Sequence, residues 1–187
     1  LPSFGVQTTL LTLFREDGRR LYSRYVAMLA AAVADYPAAI GIELMNEPPV
    51  LPQMPVEPNF LYELFRECYY AVRNISTDIA IGLVDAGQVA YFPNDSHLNH
   101  DLRTWLRSDT EYIMYTFHWY PGFHDFETSL DNAVRLSALW NAAPVLTELH
   151  WNETQFRMAT AQNVSWTYYE YDSYCNIPKD RSKNNKS

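Results

Sequence analysis

Residues 38–50, which read AAIGIELMNEPPV, decide the fold that the sequence predicts. Residues 38–45 form a short, mostly apolar run, which is typical of a strand buried on both faces. The run leads to an amide and a carboxylate, Asn46 and Glu47, and two prolines then prevent the strand from continuing. A buried strand that ends on a carboxylate indicates a sheet whose strand ends carry a polar site.

Helix and strand patterns alternate along the rest of the chain. Apolar residues between positions 19 and 36 recur at helical spacing, and Pro37 separates this helix from the strand at 38–45. Further helices are predicted at residues 60–72, 98–106, 126–140 and 153–161. Further strands are predicted at residues 79–84, 112–117, 145–148 and 164–168. Five strands thus alternate with five helices.

Such alternation predicts βαβ units and a parallel sheet, either doubly wound or closed as a (β/α)₈ barrel. No glycine-rich phosphate loop follows a predicted strand, and the chain has only 6 glycines, which favours the barrel. A complete barrel takes about 250 residues, whereas this chain has 187. We therefore expect an incomplete α/β TIM barrel at residues 1–178 that lacks its N-terminal strands, followed by a polar tail at 179–187.

Composition limits the partners of the chain. A hydrophobic content of 48% supports a packed core, and no apolar run approaches the roughly 20 residues of a membrane span. The net charge of -8 and the pI near 5.0 disfavour nucleic acid and anionic membranes as partners, whereas a small neutral or cationic molecule fits. Five N-glycosylation patterns predict a secreted glycoprotein; their asparagines are Asn74, Asn94, Asn152, Asn163 and Asn185.

Chemically capable side chains occur where predicted strands end, which is where barrel enzymes place their active sites. Glu47 and Glu148 end two different strands and can face each other across the barrel mouth. Retaining glycoside hydrolysis requires two carboxyl groups about 5 to 5.5 Å apart. His118 and Tyr120 are two residues apart on one strand, so they share a face and could hydrogen-bond the carboxylates. The pattern predicts a glycosidase site.

At these residues the sequence resembles a known family. GIELMNEP is similar to the acid/base strand of glycoside hydrolase family 5, YTFHWYPG to its His-x-Tyr strand, and PVLTELHW to its nucleophile strand. The resemblance covers roughly residues 19–172. It implies a retaining β-glycosidase that uses no cofactor or metal and binds a carbohydrate, with Glu47 as acid/base and Glu148 as nucleophile. It also implies that Asn46 holds the sugar 2-hydroxyl and that His118 and Tyr120 support the glutamates.

The resemblance is incomplete at two places. The family carries an arginine and a histidine on its second and third strands, and neither has a counterpart here. The family also carries a Trp-x-x-Trp arrangement after its last strand, and this chain has Trp166 and Tyr169 at the matching positions. The resemblance implies that these two aromatic residues bind the substrate, with Tyr169 in place of the family's second tryptophan.

Other interpretations of the same residues remain open. Glu43 shares the strand face of Glu47, but four extended residues would place it about 13 Å deeper, which favours a buried structural role. His118, with His124, His150 and a glutamate, could form a metal site of a barrel hydrolase, although the spacing matches no compact ligand motif. A truncated barrel could also be a non-catalytic remnant that binds carbohydrate.

Overall fold

The computed structural model describes residues 15–47, 59–84, 100–120, 125–149 and 152–167, in which helices and strands alternate. The helices are α1 Glu16–Val33, α2 Asn59–Arg73, α3 His100–Ser108, α4 Phe126–Trp140 and α5 Glu153–Ala161. The strands are β1 Gly41–Glu43, β2 Ala80–Val84, β3 Ile113–Trp119, β4 Ala143–Leu149 and β5 Ser165–Trp166. All ten predicted elements are present, and α4 and α5 have the predicted bounds.

The five strands form one parallel sheet in the order β1-β2-β3-β4-β5. Each strand therefore pairs with the next strand along the chain, and a helix connects each consecutive pair. A doubly wound sheet would instead reverse its strand order at a switch point. The continuous order is that of a partial (β/α)₈ barrel, so the predicted fold class is confirmed.

The first and last strands are shorter than predicted. β1 covers three residues, Gly41–Glu43, instead of 38–45, and β5 covers two, Ser165–Trp166, instead of 164–168. Both lie at an edge of the described sheet, where only one neighbouring strand supplies hydrogen bonds. One further backbone bond, from Leu44 N–H to the Gly82 carbonyl at 2.9 Å, continues the β1–β2 ladder beyond the strand.

The side chains of β3 alternate between the helix layer and the concave face of the sheet. Tyr115 meets Trp140 of α4 edge to face, with ring centroids 4.9 Å apart, and Trp119 meets Phe126 at 5.2 Å. Because successive strand residues point to opposite faces, His118 and its neighbours at two-residue spacing face the barrel interior. The aromatic packing on one face thus fixes the orientation of the polar residues on the other.

Gly82 of β2 allows a close approach between strands. A Cβ atom added at Gly82 would lie 3.0 Å from Thr116 Cγ2 and 3.2 Å from the Cα of Glu43. A larger residue would push these neighbours apart, so glycine permits β1 and the polar face of β3 to draw together across β2. Among the helices in the described part of the chain, none is long and apolar enough to cross a membrane.

Candidate active site

The first carboxylate of the site, Glu47, lies four residues beyond the end of β1. Its backbone has a positive φ of 38°, a conformation that few residues other than glycine adopt and that is common at functional sites. Its Oε1 atom lies 2.8 Å from Nδ1 of His118 on β3. The side chain of Glu47 is 40% exposed, whereas that of His118 is 2% exposed. A buried imidazole thus holds a carboxylate that solvent can reach.

The second carboxylate, Glu148, lies near the end of β4. The Tyr120 hydroxyl donates a hydrogen bond to its Oε2 atom, and the same oxygen lies 3.6 Å from His118 Nδ1. Glu47, His118 and Glu148 each have one side-chain oxygen or nitrogen atom that lies within 4.8 Å of the corresponding atoms of the other two. The structure therefore brings together four residues that the sequence predicted for the site, with His118 next to Glu47 and Tyr120 next to Glu148.

An irregularity in the sheet orients Glu148. The pairing of β3 with β4 shifts between two residues: Phe117 aligns with Leu146, but His118 aligns with Glu148, which leaves Thr147 as an extra residue. In a regular strand, Glu148 would point to the same side as Leu146, which is fully buried in the core. The bulge at Thr147 reverses this and places Glu148 on the face of His118. Bulges re-aim side chains in this way beside active sites.

Burial is the largest influence on the pKa of Glu148. Desolvation is the main cause that raises the pKa of its carboxyl group, and the nearby charges of Glu47 and Glu43 raise it further, while His118 lowers it. The hydroxyl of Tyr120 donates to the ionised carboxylate and so supports the charged form. Burial thus favours the protonated form of Glu148, and the hydrogen bond from Tyr120 favours the ionised form.

A third carboxyl group lies on the other side of the imidazole. Oε1 of Glu43 is 4.0 Å from His118 Nε2. Burial is the main cause that raises the pKa of Glu43; the neighbouring His118 and the hydroxyls of Thr116 and Thr147 oppose the rise. Neither hydroxyl has a hydrogen-bond partner of ordinary geometry among the described residues. Glu43 is therefore a partly buried carboxyl group next to the ring of His118, and burial favours its protonated form.

The depth expected for Glu43 from the sequence is wrong. That expectation assumed an extended chain up to Glu47, whereas β1 ends at Glu43 and the chain turns before Glu47. Both carboxyl groups consequently reach the ring of His118, one at each nitrogen. Sequence reasoning therefore missed Glu43 as part of the site, although the strand face it shares with Glu47 was the available signal.

The cluster of Glu47, His118 and Glu148 is compact enough to consider a metal ion. However, Glu47 Oε1 is within hydrogen-bonding distance of His118 Nδ1, and Glu148 Oε2 accepts from Tyr120. Hydrogen bonds among the side chains account for their convergence, so we assign no metal ligands here. The other histidines considered in the sequence, His124 and His150, lie outside the described residues.

Two further predicted residues, Asn46 and Trp166, are described but do not contact this cluster. Asn46 is exposed beside Glu47. The ring of Trp166 is stacked on Phe156 of α5, with centroids 4.1 Å apart, and its Nε1–H donates to Thr160 at 3.1 Å. Tyr169 lies outside the described residues. Substrate contacts of Asn46, Trp166 and Tyr169 therefore remain predictions.

The fold and the site define a partial (β/α)₈ barrel with two carboxylates at the carboxyl ends of its strands, and solved structures share this fold. Endo-glycoceramidase II from Rhodococcus sp., in complex with a cellobiose-like imidazole, matches with a TM-score of 0.67 and 17% identity. A hyperthermophilic endo-β-1,4-glucanase in complex with substrate gives 0.61 and 16% identity. Cellulose synthase subunit Z from Clostridioides difficile gives 0.63 and 16%. At these identities the likeness shows the fold alone.

The matches cover this chain more fully than they cover the neighbours. The alignment includes 84% of this chain and 42% of endo-glycoceramidase II. It includes 85% of this chain and 61% of the glucanase, and 86% of this chain and 64% of the cellulose synthase subunit. The chain thus spans about two fifths of the length of the first neighbour. No protein-family profile matches the chain, and no curated protein resembles it significantly in sequence.

Proposed function

We propose that this chain carries the catalytic glutamates of a retaining O-glycoside hydrolase of family 5 type. The substrate is the β-glycosidic bond of a glucan, a mannan or a glycoconjugate. One observation carries the proposal: Glu47 and Glu148, at the carboxyl ends of different parallel strands, meet at the same imidazole nitrogen of His118. Two close carboxylates of this kind are what double displacement at an anomeric carbon requires.

In the first step, a carboxylate oxygen of Glu148 attacks the anomeric carbon while the bond to the aglycone oxygen breaks. The departing oxygen takes the proton of Glu47, so the products are a glycosyl ester on Glu148 and the free aglycone. In the second step, Glu47 accepts a proton from water as the water oxygen attacks the anomeric carbon. The ester bond breaks, and both glutamates return to their initial states.

The surroundings of the two glutamates support this division of roles. Burial raises the pKa of Glu148, and the hydrogen bond that it accepts from Tyr120 opposes this rise and favours the ionised form that a nucleophile needs. Glu47 is the more exposed carboxyl group, and its partner is a histidine nitrogen that can either donate or accept a hydrogen bond. Such a partner suits a group that gives a proton in one step and takes a proton in the next.

The decisive experiment replaces the proposed nucleophile. Purified Glu148→Gln protein should hydrolyse an aryl β-glycoside at least about 10³-fold more slowly than the wild type, because the covalent step is lost. Glu153→Gln, which changes an exposed glutamate on α5, is the matched control and should retain activity. Unchanged hydrolysis in Glu148→Gln would make the nucleophile assignment wrong.

The stereochemistry of the product tests the retaining mechanism separately. Two successive displacements return the anomeric carbon to its original configuration, so proton NMR should detect the β-anomer first. Appearance of the α-anomer first would contradict a glycosyl-enzyme intermediate. Binding of carbohydrate without any hydrolysis would instead support the non-catalytic alternative.

Screening of substrates addresses the class of glycoside. The solved neighbours include an endo-glycoceramidase and an endo-β-1,4-glucanase, as their names state. Hydrolysis should therefore be measured on β-glucan, mannan and glucosylceramide, with release of reducing sugar or ceramide as the readout. The proposal requires cleavage of at least one of these substrates.

We also propose that the protein follows the secretory route. Among the described residues, the acceptor asparagines Asn74, Asn152 and Asn163 are all exposed, so oligosaccharyl transfer would meet no burial barrier there. Expression through a eukaryotic secretory pathway should give a product whose mass falls on treatment with an N-glycan-removing enzyme. An unchanged mass would contradict glycosylation and remove this support.

A further inference from the structure

Glu43 faces the one nitrogen of His118 that the two catalytic glutamates do not contact. Glu47 and Glu148 approach Nδ1, at 2.8 and 3.6 Å, while Glu43 approaches Nε2 at 4.0 Å. The separation from Nε2 exceeds a hydrogen bond, so Glu43 influences the ring through its electric field. With His118 only 2% exposed, water screens this influence weakly.

The position of Glu43 is fixed by its surroundings. Gly82 allows β2 to pack closely against its backbone, and its side chain is 24% exposed. The hydroxyls of Thr116 and Thr147 lie beside its carboxyl group. The carboxyl group therefore lies next to the ring of His118 in a partly buried position.

The protonation of His118 has a direct consequence for Glu47. A neutral imidazole carries its proton on one nitrogen and accepts a hydrogen bond at the other. With the proton on Nε2, Nδ1 can accept the O–H of protonated Glu47, which is the form that a general acid needs. With the proton on Nδ1, the ring would donate to Glu47 and favour its ionised form instead.

We propose that Glu43 is a positioning residue that keeps the proton of His118 on Nε2, and so leaves Nδ1 to accept the hydrogen bond of protonated Glu47. This inference rests on the proposed function and assigns Glu43 a role in the acid step. The residue does not touch the substrate. It acts through His118, as a third group orients the base in other catalytic arrangements.

The titratable groups around His118 come from three segments. Glu43 and Glu47 come from β1 and the turn after it, Tyr120 follows β3, and Glu148 comes from β4. The residues of β2 and β5 are not titratable. Among these groups of the described chain, Glu43 is the carboxyl group that approaches Nε2, so its replacement isolates the effect on that nitrogen.

The first experiment compares leaving groups. A phenolate leaving group needs protonation by Glu47, whereas 2,4-dinitrophenolate leaves without it. Glu43→Leu should lower kcat/KM on a phenyl β-glycoside by about 10-fold or more but change the dinitrophenyl substrate by less than about threefold. Glu43→Gln, which keeps the shape of the side chain but removes its charge, should show a similar loss, whereas Glu43→Asp, which keeps the charge, should restore part of the activity. An equal loss on both substrates would show a structural role and overturn the proposal.

The pH profile gives a second readout in the same variants. If the proton moves to Nδ1, His118 can no longer accept the hydrogen bond of protonated Glu47, so the acid step should be supported over a narrower pH range. The alkaline limb of kcat/KM on the phenyl substrate should therefore move to lower pH in Glu43→Leu and Glu43→Gln, and stay closer to that of the wild type in Glu43→Asp. The exposed variant Glu153→Leu serves as the control and should leave both limbs unchanged. An unmoved limb in Glu43→Leu would contradict the proposal.

The third experiment requires no enzymatic activity. ¹⁵N NMR of the histidine side chains in the wild-type protein, with His118 assigned from the spectrum of His118→Asn, reports which nitrogen carries the proton. The proposal expects the Nε2–H form in the wild type, and Glu43→Asp, which keeps the charge, should retain it. Detection of the Nδ1–H form in the wild type would overturn the proposal even if hydrolysis is observed. Absence of hydrolysis with the Nε2–H form present would instead count against the proposed function alone.

Discussion

At the residue scale, three carboxyl groups surround the buried imidazole of His118. Burial is the main cause that raises the pKa of Glu148, and the like charges of Glu47 and Glu43 raise it further. Tyr120 stabilises the ionised form of one of them by donating to Glu148. The hydrogen bond from Tyr120 thus opposes the effect of burial on Glu148 and supports the ionised form that a nucleophile needs.

Tyr120→Phe tests the hydrogen bond to Glu148. Loss of a hydrogen bond to a charged group costs about 1.5–3 kcal/mol, so kcat/KM should fall about 10- to 100-fold. Because the lost bond favoured the ionised carboxylate, the pKa of Glu148 should rise and the acidic limb of the pH profile should move to higher pH. Tyr112→Phe, at a tyrosine that is 61% exposed, is the control. An acidic limb that stays in place would refute this role.

Glu43→Gln is expected to stabilise the fold at neutral pH. The folded-state pKa of Glu43 is raised above its ordinary value, mainly by burial, so the folded protein binds this proton more tightly than the unfolded chain. The free energy of unfolding therefore falls as the pH rises from the ordinary pKa of a glutamate through the raised pKa of Glu43. Gln cannot ionise, so the variant should show a higher Tm at pH 7, and the difference should shrink in acid. A lower Tm for the variant at pH 7 would contradict this expectation.

At the element scale, two local features of the sheet orient the site. The bulge at Thr147 turns Glu148 toward His118, and Gly82 lets β1 and β3 approach across β2. The short helix α5 then leads from β4 to β5, and Phe156 of this helix is buried against Trp166. The strands that carry the glutamates are thus positioned by backbone geometry and by helix packing.

The N-terminus of α5 offers a test of this packing. The side chain of Asn152 accepts a hydrogen bond from the Gln155 N–H at 3.2 Å. Asn152→Ala removes this cap and should cost about 1 kcal/mol, which lowers Tm by about 2–4 °C. Asn152→Asp keeps an acceptor oxygen, and both variants lose the glycosylation pattern. A comparison of the two variants therefore measures the effect of the cap alone. Equal Tm values for the two variants would exclude a stabilising cap.

At the scale of the whole molecule, the described sheet has two edges, at β1 and β5. A closed (β/α)₈ barrel has no edges, because further strands pair there. Helix α1 also exposes a row of apolar side chains, Leu21, Tyr25 and Met28, with 69%, 59% and 73% of their surface accessible. The two sheet edges and the exposed apolar row on α1 agree with the finding that the alignment covers 42% of endo-glycoceramidase II.

The net charge leads to a prediction for the whole protein. With a formal charge of -8, the surface repels the phosphate backbone of nucleic acids. A labelled oligonucleotide should show no change in electrophoretic mobility when the protein is added at low salt, where attraction would be strongest. A retarded band would show that local charge outweighs the total and would overturn this expectation.

The sequence by itself determined the order of helices and strands, because apolar periodicity and proline positions act over a few neighbouring residues. It also identified Glu47, His118, Tyr120 and Glu148, since a parallel barrel places its strand ends on one side. The tertiary structure decided which carboxyl groups reach His118. The bulge at Thr147 and the turn that brings Glu47 and Glu43 to opposite nitrogens depend on pairing between distant strands, which no local pattern encodes.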